Sequence, residues 1–106
     1  MQRIPPSPPV NPTKEDKLAD RIARRNPKTY DGNYNPMELE EWIRSMEKIF
    51  AVIEVSEEKK QIIGTFYLIG EVDIWWGTMK DKFVGPKRTW AKFLEELRAK
   101  FYPIIV

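Results

Sequence analysis

The sequence NPMELEEWIRSMEKIFAVI, residues 35–53, carries the strongest helical signal in the chain. Its apolar residues recur at three- and four-residue spacing, and charged residues occupy the opposite side of the same helical projection. Asn35 is a favourable N-cap, and Pro36 suits the first helical position. The stretch therefore predicts an amphipathic helix with one broad apolar face. That face consists of Leu39, Trp42, Ile43, Met46, Ile49, Phe50 and Ile53.

The residues that follow predict a second helix, from Ser56 to Gly70. Ser56 can cap its N-terminus, and Glu57 and Glu58 lie in the first turn, where the helix dipole favours acidic side chains. Apolar side chains are spread widely around this helix, which predicts that most of it is buried. They are Ile62, Ile63, Phe66, Tyr67 and Ile69.

Two more helices complete the predicted bundle. The third places its apolar residues on one face, and residues 80–86 after it are predicted to form a loop; the face consists of Val72, Trp75, Trp76 and Met79. Thr89 can cap the last helix, which Pro103 would end. Its apolar stripe consists of Trp90, Phe93, Leu94, Leu97 and Phe101. Because short joints bring sequence neighbours together, we expect an all-α fold, a compact bundle of four core helices.

An N-terminal arm, residues 1–27, is predicted to precede this bundle. Five of the nine prolines lie within the first twelve residues, which predicts an extended, polyproline-like segment. Such a segment is either a linker or arm, or a ligand for an SH3- or WW-type domain. Residues 14–25 can form a short helix capped by Thr13, but its two apolar anchors, Leu18 and Ile22, would need another surface to pack against.

The remaining boundaries follow from this division. The packed helical domain is expected over residues 28–103, because the Asn26-Pro27 step disfavours continued helix. Residues 104–106 form a short apolar tail, and we expect the natural chain to continue beyond it.

Composition limits the classes of function. The 106 residues include no cysteine and no histidine, which removes disulfides, cysteine-bound metals and the commonest proton-transfer side chain. No glycine-rich phosphate loop is present, and the glutamates fall on polar helix faces or at helix starts. We therefore expect no enzyme and no cofactor. The sequence also has no signal peptide and no apolar stretch near the roughly 20 residues that span a bilayer, so a cytoplasmic protein without membrane contact is expected.

Charge is divided into three blocks. Residues 1–30 have a net charge of +4, residues 31–79 of −6 and residues 80–106 of +4. An acidic middle between basic ends favours head-to-tail contact between copies or an anionic partner, although charge blocks are also common on solvated surfaces.

Short motifs follow one another in a characteristic order between residues 26 and 103. They begin with Tyr30-Asp31-Gly32 and end with Phe101-Tyr102-Pro103. The principal positions are Tyr30, Gly32, Pro36, Trp42, Phe50, Leu68, Gly70, Trp75, Trp90, Phe93 and Phe101. The series resembles the gag domain of gypsy-type long-terminal-repeat retrotransposons, especially those of plants. The chain departs from that family at Tyr30, where phenylalanine is usual, and at Gly64 and Val72, where alanine is common.

The resemblance implies the fold of the N-terminal lobe of a retroviral capsid protein and a structural role. Copies of such domains associate into a shell around the element's RNA. A second helical lobe and a Cys/His zinc knuckle are usual in the complete gag. The 106 residues contain neither, so we expect either a fragment of a gag polyprotein or a domesticated derivative. The sequence does not distinguish an active element from a domesticated gene.

Candidate contact residues follow from charge and from the family. For contact between copies we expect Trp76, Lys87, Arg88, Glu40 and Glu47, with the acidic middle of one copy meeting the basic last segment of another. Weak RNA contact is expected at Arg21, Arg24 and Arg25, since basic side chains bind phosphates without regard to sequence. The alternative is a monomeric adaptor that binds an extended peptide in a hydrophobic groove between helices. The tryptophans lie on apolar stripes, which favours core packing over base stacking.

Overall fold

The computed structural model describes residues 14–101, with side chains from residue 17 onward. The proline-rich segment, the Thr13 cap, the stop at Pro103 and the tail at 104–106 lie outside the described residues. The described chain contains five α-helices and no strand: α1 (Lys14–Ala23), α2 (Pro36–Val52), α3 (Glu57–Thr65), α4 (Gly70–Met79) and α5 (Trp90–Phe101). The prediction of an all-α fold is confirmed.

Helix α2 forms as its sequence predicts. The Asn35 side chain accepts a hydrogen bond from the Met37 amide at 3.0 Å, and Pro36 occupies the first turn. Leu39, Trp42 and Ile43 are fully or almost fully buried, as are Met46 and Phe50 further along the same face. The helix ends at Val52, and Ile53 is buried just beyond it. The buried face of α2 therefore forms a large part of the hydrophobic core.

The predicted extent of the second helix is wrong. Helix α3 ends at Thr65 rather than near Gly70, and Gly70 instead begins α4. The prediction that this segment is largely buried is also wrong, because Ile62, Phe66 and Ile69 are exposed. The Tyr67 and Leu68 amides still donate to carbonyls three residues earlier, but the Ile69 amide instead takes part in a backbone contact with a distant segment, which ends the helical pattern.

That contact is a parallel bridge between Tyr30 and Leu68. The Tyr30 amide donates to the Tyr67 carbonyl at 3.0 Å, and the Ile69 amide donates to the Tyr30 carbonyl at 2.9 Å. The segment before α2 is therefore attached to the joint between α3 and α4. Gly32 fits this joint because its φ of 94° is unfavourable for other residues, and a Cβ atom there would lie 2.9 Å from the Val72 amide nitrogen.

Helix α1 belongs to the same packed unit. Ile22 is completely buried in the core, and Leu18 packs against that core while remaining partly exposed. The Trp42 indole nitrogen donates to the Lys28 carbonyl at 2.9 Å, which fixes the segment after α1 onto α2.

The core is closed by aromatic contacts between α2 and α5. The Trp90 ring of α5 lies 5.2 Å from Phe50 and 6.0 Å from Trp42, both on α2, measured between ring centroids. Thr89 caps α5 as predicted, since its hydroxyl accepts from the Lys92 amide at 3.2 Å. Gln61, the buried polar side chain of α3, donates to the Thr89 carbonyl at 2.9 Å. Helices α3 and α5 are thus joined by both apolar and polar contacts.

The predicted loop at residues 80–86 is more ordered than expected. It contains a 3₁₀ turn at Lys80–Lys82, and a second turn at Gly85–Lys87 follows it. Between them Phe83 is buried, with its ring 4.9 Å from that of Trp76. The loop therefore contributes to the core.

Tyr30 gives the fold a specific response to alkaline pH. Burial, and secondarily the negative charge of Asp31, raises the pKa of Tyr30 to about 12. An unfolded tyrosine titrates near pH 10, so the unfolded chain loses this proton first as the pH rises. Protonated Tyr30 therefore contributes its full stabilisation to the folded state below about pH 10, and this contribution is lost as the pH rises towards about 12. We expect the melting temperature of the wild type to fall more steeply across this window than that of Tyr30→Phe; parallel curves would contradict the assignment.

Candidate interaction surface

Most of the predicted family positions form the core. Those that are buried are Tyr30, Gly32, Trp42, Phe50, Leu68, Trp90, Phe93 and Phe101. Trp75 is half-buried, with its ring 5.6 Å from that of Phe101, whereas Pro36 and Gly70 are exposed at helix starts. These residues therefore shape the domain rather than a binding surface.

The five predicted contact residues do not lie on one surface. Glu40 and Glu47 lie on the outer face of α2, Trp76 and Arg88 line a groove beside α3, and Lys87 lies in a separate pocket. Their contribution to contact between copies stays a prediction.

Two of the predicted contact charges already have partners within the chain. Arg98 donates from Nε and Nη2 to the two carboxylate oxygens of Glu40, at 2.9 and 3.0 Å. Arg88 forms a longer ion pair with Glu58, at 3.3 Å. A neighbouring copy would have to compete with these contacts, which lowers the gain from charge pairing at Glu40 and Arg88.

The candidate RNA-binding arginines lie together near the end of α1. Arg21 is in its last turn, and Arg24 and Arg25 are in the turn that follows; all three are exposed. This position leaves them open to solvent, and RNA contact stays a prediction.

A groove lies between α3 and α4. We define the α3–α4 groove by Ile62, Phe66, Asp73, Trp76, Lys80 and Phe83, and its volume is about 510 Å³. Phe66 is 71% exposed on one wall, and Trp76 is half-buried against Phe83. The groove therefore presents aromatic rings to solvent between charged side chains.

Half of the exposed large apolar side chains of the described chain lie on α3, on α4 or in the joint between them, and two of these, Ile62 and Phe66, line the groove. Of the eight large hydrophobic residues exposed within the described chain, four fall between residues 62 and 74. We call these four the α3–α4 apolar set: Ile62, Phe66, Ile69 and Ile74. Ile74 is 72% exposed. Sequence reasoning missed their exposure, although Ile74 does lie off the Val72–Trp75–Met79 face, which was a usable signal.

The described residues include no cluster of acidic, cysteine or histidine side chains suited to a metal ion. Among the described helices, none is both long and apolar enough to cross a membrane.

Residues 24–102 match the family described as the retrotransposon-derived protein PEG10, N-terminal capsid-like domain. No curated protein and no solved structure matches the chain. The matched region contains α2–α5 and most of the core described above, and it covers well over half of the 106 residues. The predicted resemblance to the N-terminal capsid lobe of a gag protein is therefore confirmed, and the chain belongs to the family of retrotransposon-derived, capsid-like N-terminal domains.

Proposed function

We propose that this capsid-like domain associates with further copies of itself, as a subunit of a retrotransposon capsid or of a domesticated derivative. A capsid-like domain of a gag protein has a structural rather than a catalytic role. The observation that carries the proposal is the α3–α4 apolar set, which leaves two large side chains, Phe66 and Ile74, more than 70% exposed.

Burial of this set offers a physical driving force. Removing apolar surface from water stabilises a contact by roughly 25 cal/mol per Å². Adjacent exposed apolar side chains are typical of protein–protein contacts, and Ile62 and Phe66 line the same groove. Because Glu40 and Arg88 already have partners within the chain, apolar contact is expected to contribute more than charge.

Light scattering of the 106-residue chain over a range of concentrations tests this proposal. We expect the average mass to rise with concentration, and the rise to persist at ~0.5 M salt, where exposed charge pairs are largely screened. Phe66→Ser combined with Ile74→Ser should reduce the rise. Met37→Ser is the matched control, because Met37 is 80% exposed on α2, outside the apolar set.

Two outcomes would count against the proposal. A chain that stays monomeric at every concentration and salt would contradict self-association. The rise in mass could instead disappear both at high salt and in the double variant Lys87→Ala, Arg88→Ala. That result would show that charged contacts, not apolar ones, hold the copies together.

A monomeric peptide-binding adaptor is the second candidate function. The observation that favours it is the α3–α4 groove, which has the size of a ligand site and an exposed aromatic wall. A chain that remains monomeric, and binds an extended peptide in a manner abolished by Phe66→Ser, would favour this function.

A further inference from the structure

We propose that the α3–α4 groove binds the proline-rich arm, residues 1–12, of a neighbouring copy. This inference rests on the proposed self-association and names the contact that produces it. The arm has the sequence MQRIPPSPPVNP.

The groove has the chemistry that recognises polyproline. Extended proline-rich segments bind in grooves lined by aromatic rings, because their preformed conformation loses little entropy on binding. In the α3–α4 groove, Phe66 is 71% exposed and Trp76 is half-buried, with its ring 4.9 Å from the buried ring of Phe83. The indole N–H of Trp76 has no acceptor among the described residues. It can therefore donate to a carbonyl of the arm, whose backbone makes no internal hydrogen bonds in this conformation.

Charge favours the same pairing. Arg3 is the one charged side chain among the first twelve residues, so the arm is positive. Asp73 and Asp81 line the groove and form no ion pair with any described residue. Two basic residues also line the groove, and one of them, Arg88, is paired with Glu58. Lys80 therefore supplies one positive charge beside the two negative charges of Asp73 and Asp81. The groove thus has a net negative rim for a positive arm.

Stiffness favours a neighbouring copy over the same chain as the occupant. Proline-rich segments are semi-rigid and extend about 3.1 Å per residue, so twelve residues would span roughly 37 Å. That exceeds the roughly 26 Å length of the 17-residue helix α2. Two residues after Asn11-Pro12 the chain enters α1, which Ile22 anchors in the core. To reach the groove of its own domain, a semi-rigid segment that continues from an anchored helix would have to bend back, whereas a neighbouring copy can bind it without that bend.

The contact would propagate from copy to copy. An arm bound to the groove of a neighbour leaves one free groove and one free arm, so the interface joins two different surfaces. Such head-to-tail interfaces close into rings or extend as open chains. The arm therefore supplies a route from one domain to an assembly of many.

Two variants of the 106-residue chain test the inference by light scattering. One replaces Pro5, Pro6, Pro8 and Pro9 with glycine, which removes the preformed conformation but leaves the charge unchanged. The other is Phe66→Ser, in the groove. We expect each to raise the concentration needed for association about tenfold, in the range of a strong interface residue. Val84→Ser is the matched control, because Val84 is exposed but lies outside the groove. Circular dichroism would verify that each variant is folded.

Nuclear magnetic resonance of tryptophan indole groups identifies the groove directly. The glycine variant of the full chain, with isotope-labelled tryptophan, is titrated with a synthetic peptide of residues 1–13. We expect the Trp76 resonance to shift and that of Trp42, whose N–H is bonded to the Lys28 carbonyl, to stay fixed. In the wild type, dilution should move the Trp76 resonance towards its position in the glycine variant.

The outcomes separate this inference from the proposed function. A wild type that is always monomeric contradicts self-association itself. A wild type that associates, with a glycine variant that associates equally well, overturns the arm contact alone. A Trp76 shift that differs between wild type and glycine variant but does not change on dilution would place the arm in the groove of its own chain, and would also overturn the inference.

Discussion

Replacement of Gly64 by alanine is expected to lower the free energy of unfolding by about 2 kcal/mol, because no space exists for the added methyl group. A Cβ atom at Gly64 would overlap Trp90 Cζ3 and lie 3.0 Å from Trp90 Cη2. The Trp90 ring cannot move aside, since it is buried between Phe50, Phe93 and Trp42. Helices α3 and α5 would therefore have to separate.

Gly77→Ala is the matched control for this change. Both glycines lie within helices, but a Cβ atom at Gly77 would meet nothing within 4 Å. Alanine is favoured over glycine in a helix by roughly 0.5–1 kcal/mol, so Gly77→Ala should stabilise the domain slightly. Thermal melts would show the difference, with a decrease of about 10 °C for Gly64→Ala. Equal melting temperatures for the two variants would contradict the close contact between α3 and Trp90.

The packing at Gly64 also explains one departure from the family pattern. Alanine is common near this position in the family that the sequence resembles, and the sequence alone shows only that glycine is smaller. The structure adds the reason: the indole of Trp90 occupies the volume that an alanine methyl would need. Gly64 and Trp90 are thus a matched pair, and neither residue could be interpreted without the other.

Local patterns predicted α2 and α5 well because each has one apolar face and a polar N-cap. They failed between α3 and α4, where Phe66 and Ile69 appeared to continue a buried helix. The backbone there leaves the helix because it pairs with Tyr30, a residue that precedes α2. No local periodicity contains that information, since it depends on two segments that meet only in the folded chain.

The interaction surface was harder to predict for a similar physical reason. Charge blocks showed that Glu40 and Arg98 have opposite signs, but not that they contact each other across 58 residues of sequence. Once such pairs form within the chain, the charges are less available to a neighbour. Large apolar side chains also remain exposed, and the sequence gives no direct sign of which ones, because Phe66 and Phe93 are chemically identical.

Phe93→Ala and Phe66→Ala should separate stability from association. Phe93 is completely buried, and its ring lies 5.2 Å from that of Trp76 and 5.3 Å from that of Trp90. Its truncation leaves a cavity and is expected to cost about 3–5 kcal/mol. That is a large part of the roughly 5–15 kcal/mol by which a domain is stable. The same truncation at Phe66, which is mostly exposed, should change the free energy of unfolding by less than about 0.5 kcal/mol.

Denaturant unfolding monitored by circular dichroism, followed by light scattering of each folded variant, measures both effects. Phe93→Ala should shift the unfolding midpoint to much lower denaturant, whereas Phe66→Ala should unfold like the wild type but associate less. If Phe66→Ala instead lost as much stability as Phe93→Ala, Phe66 would belong to the core and the α3–α4 groove would be closed. If it lost neither stability nor association, the apolar set would have no part in assembly. Because the two substitutions remove the same atoms, any difference between them must come from where the fold places each ring.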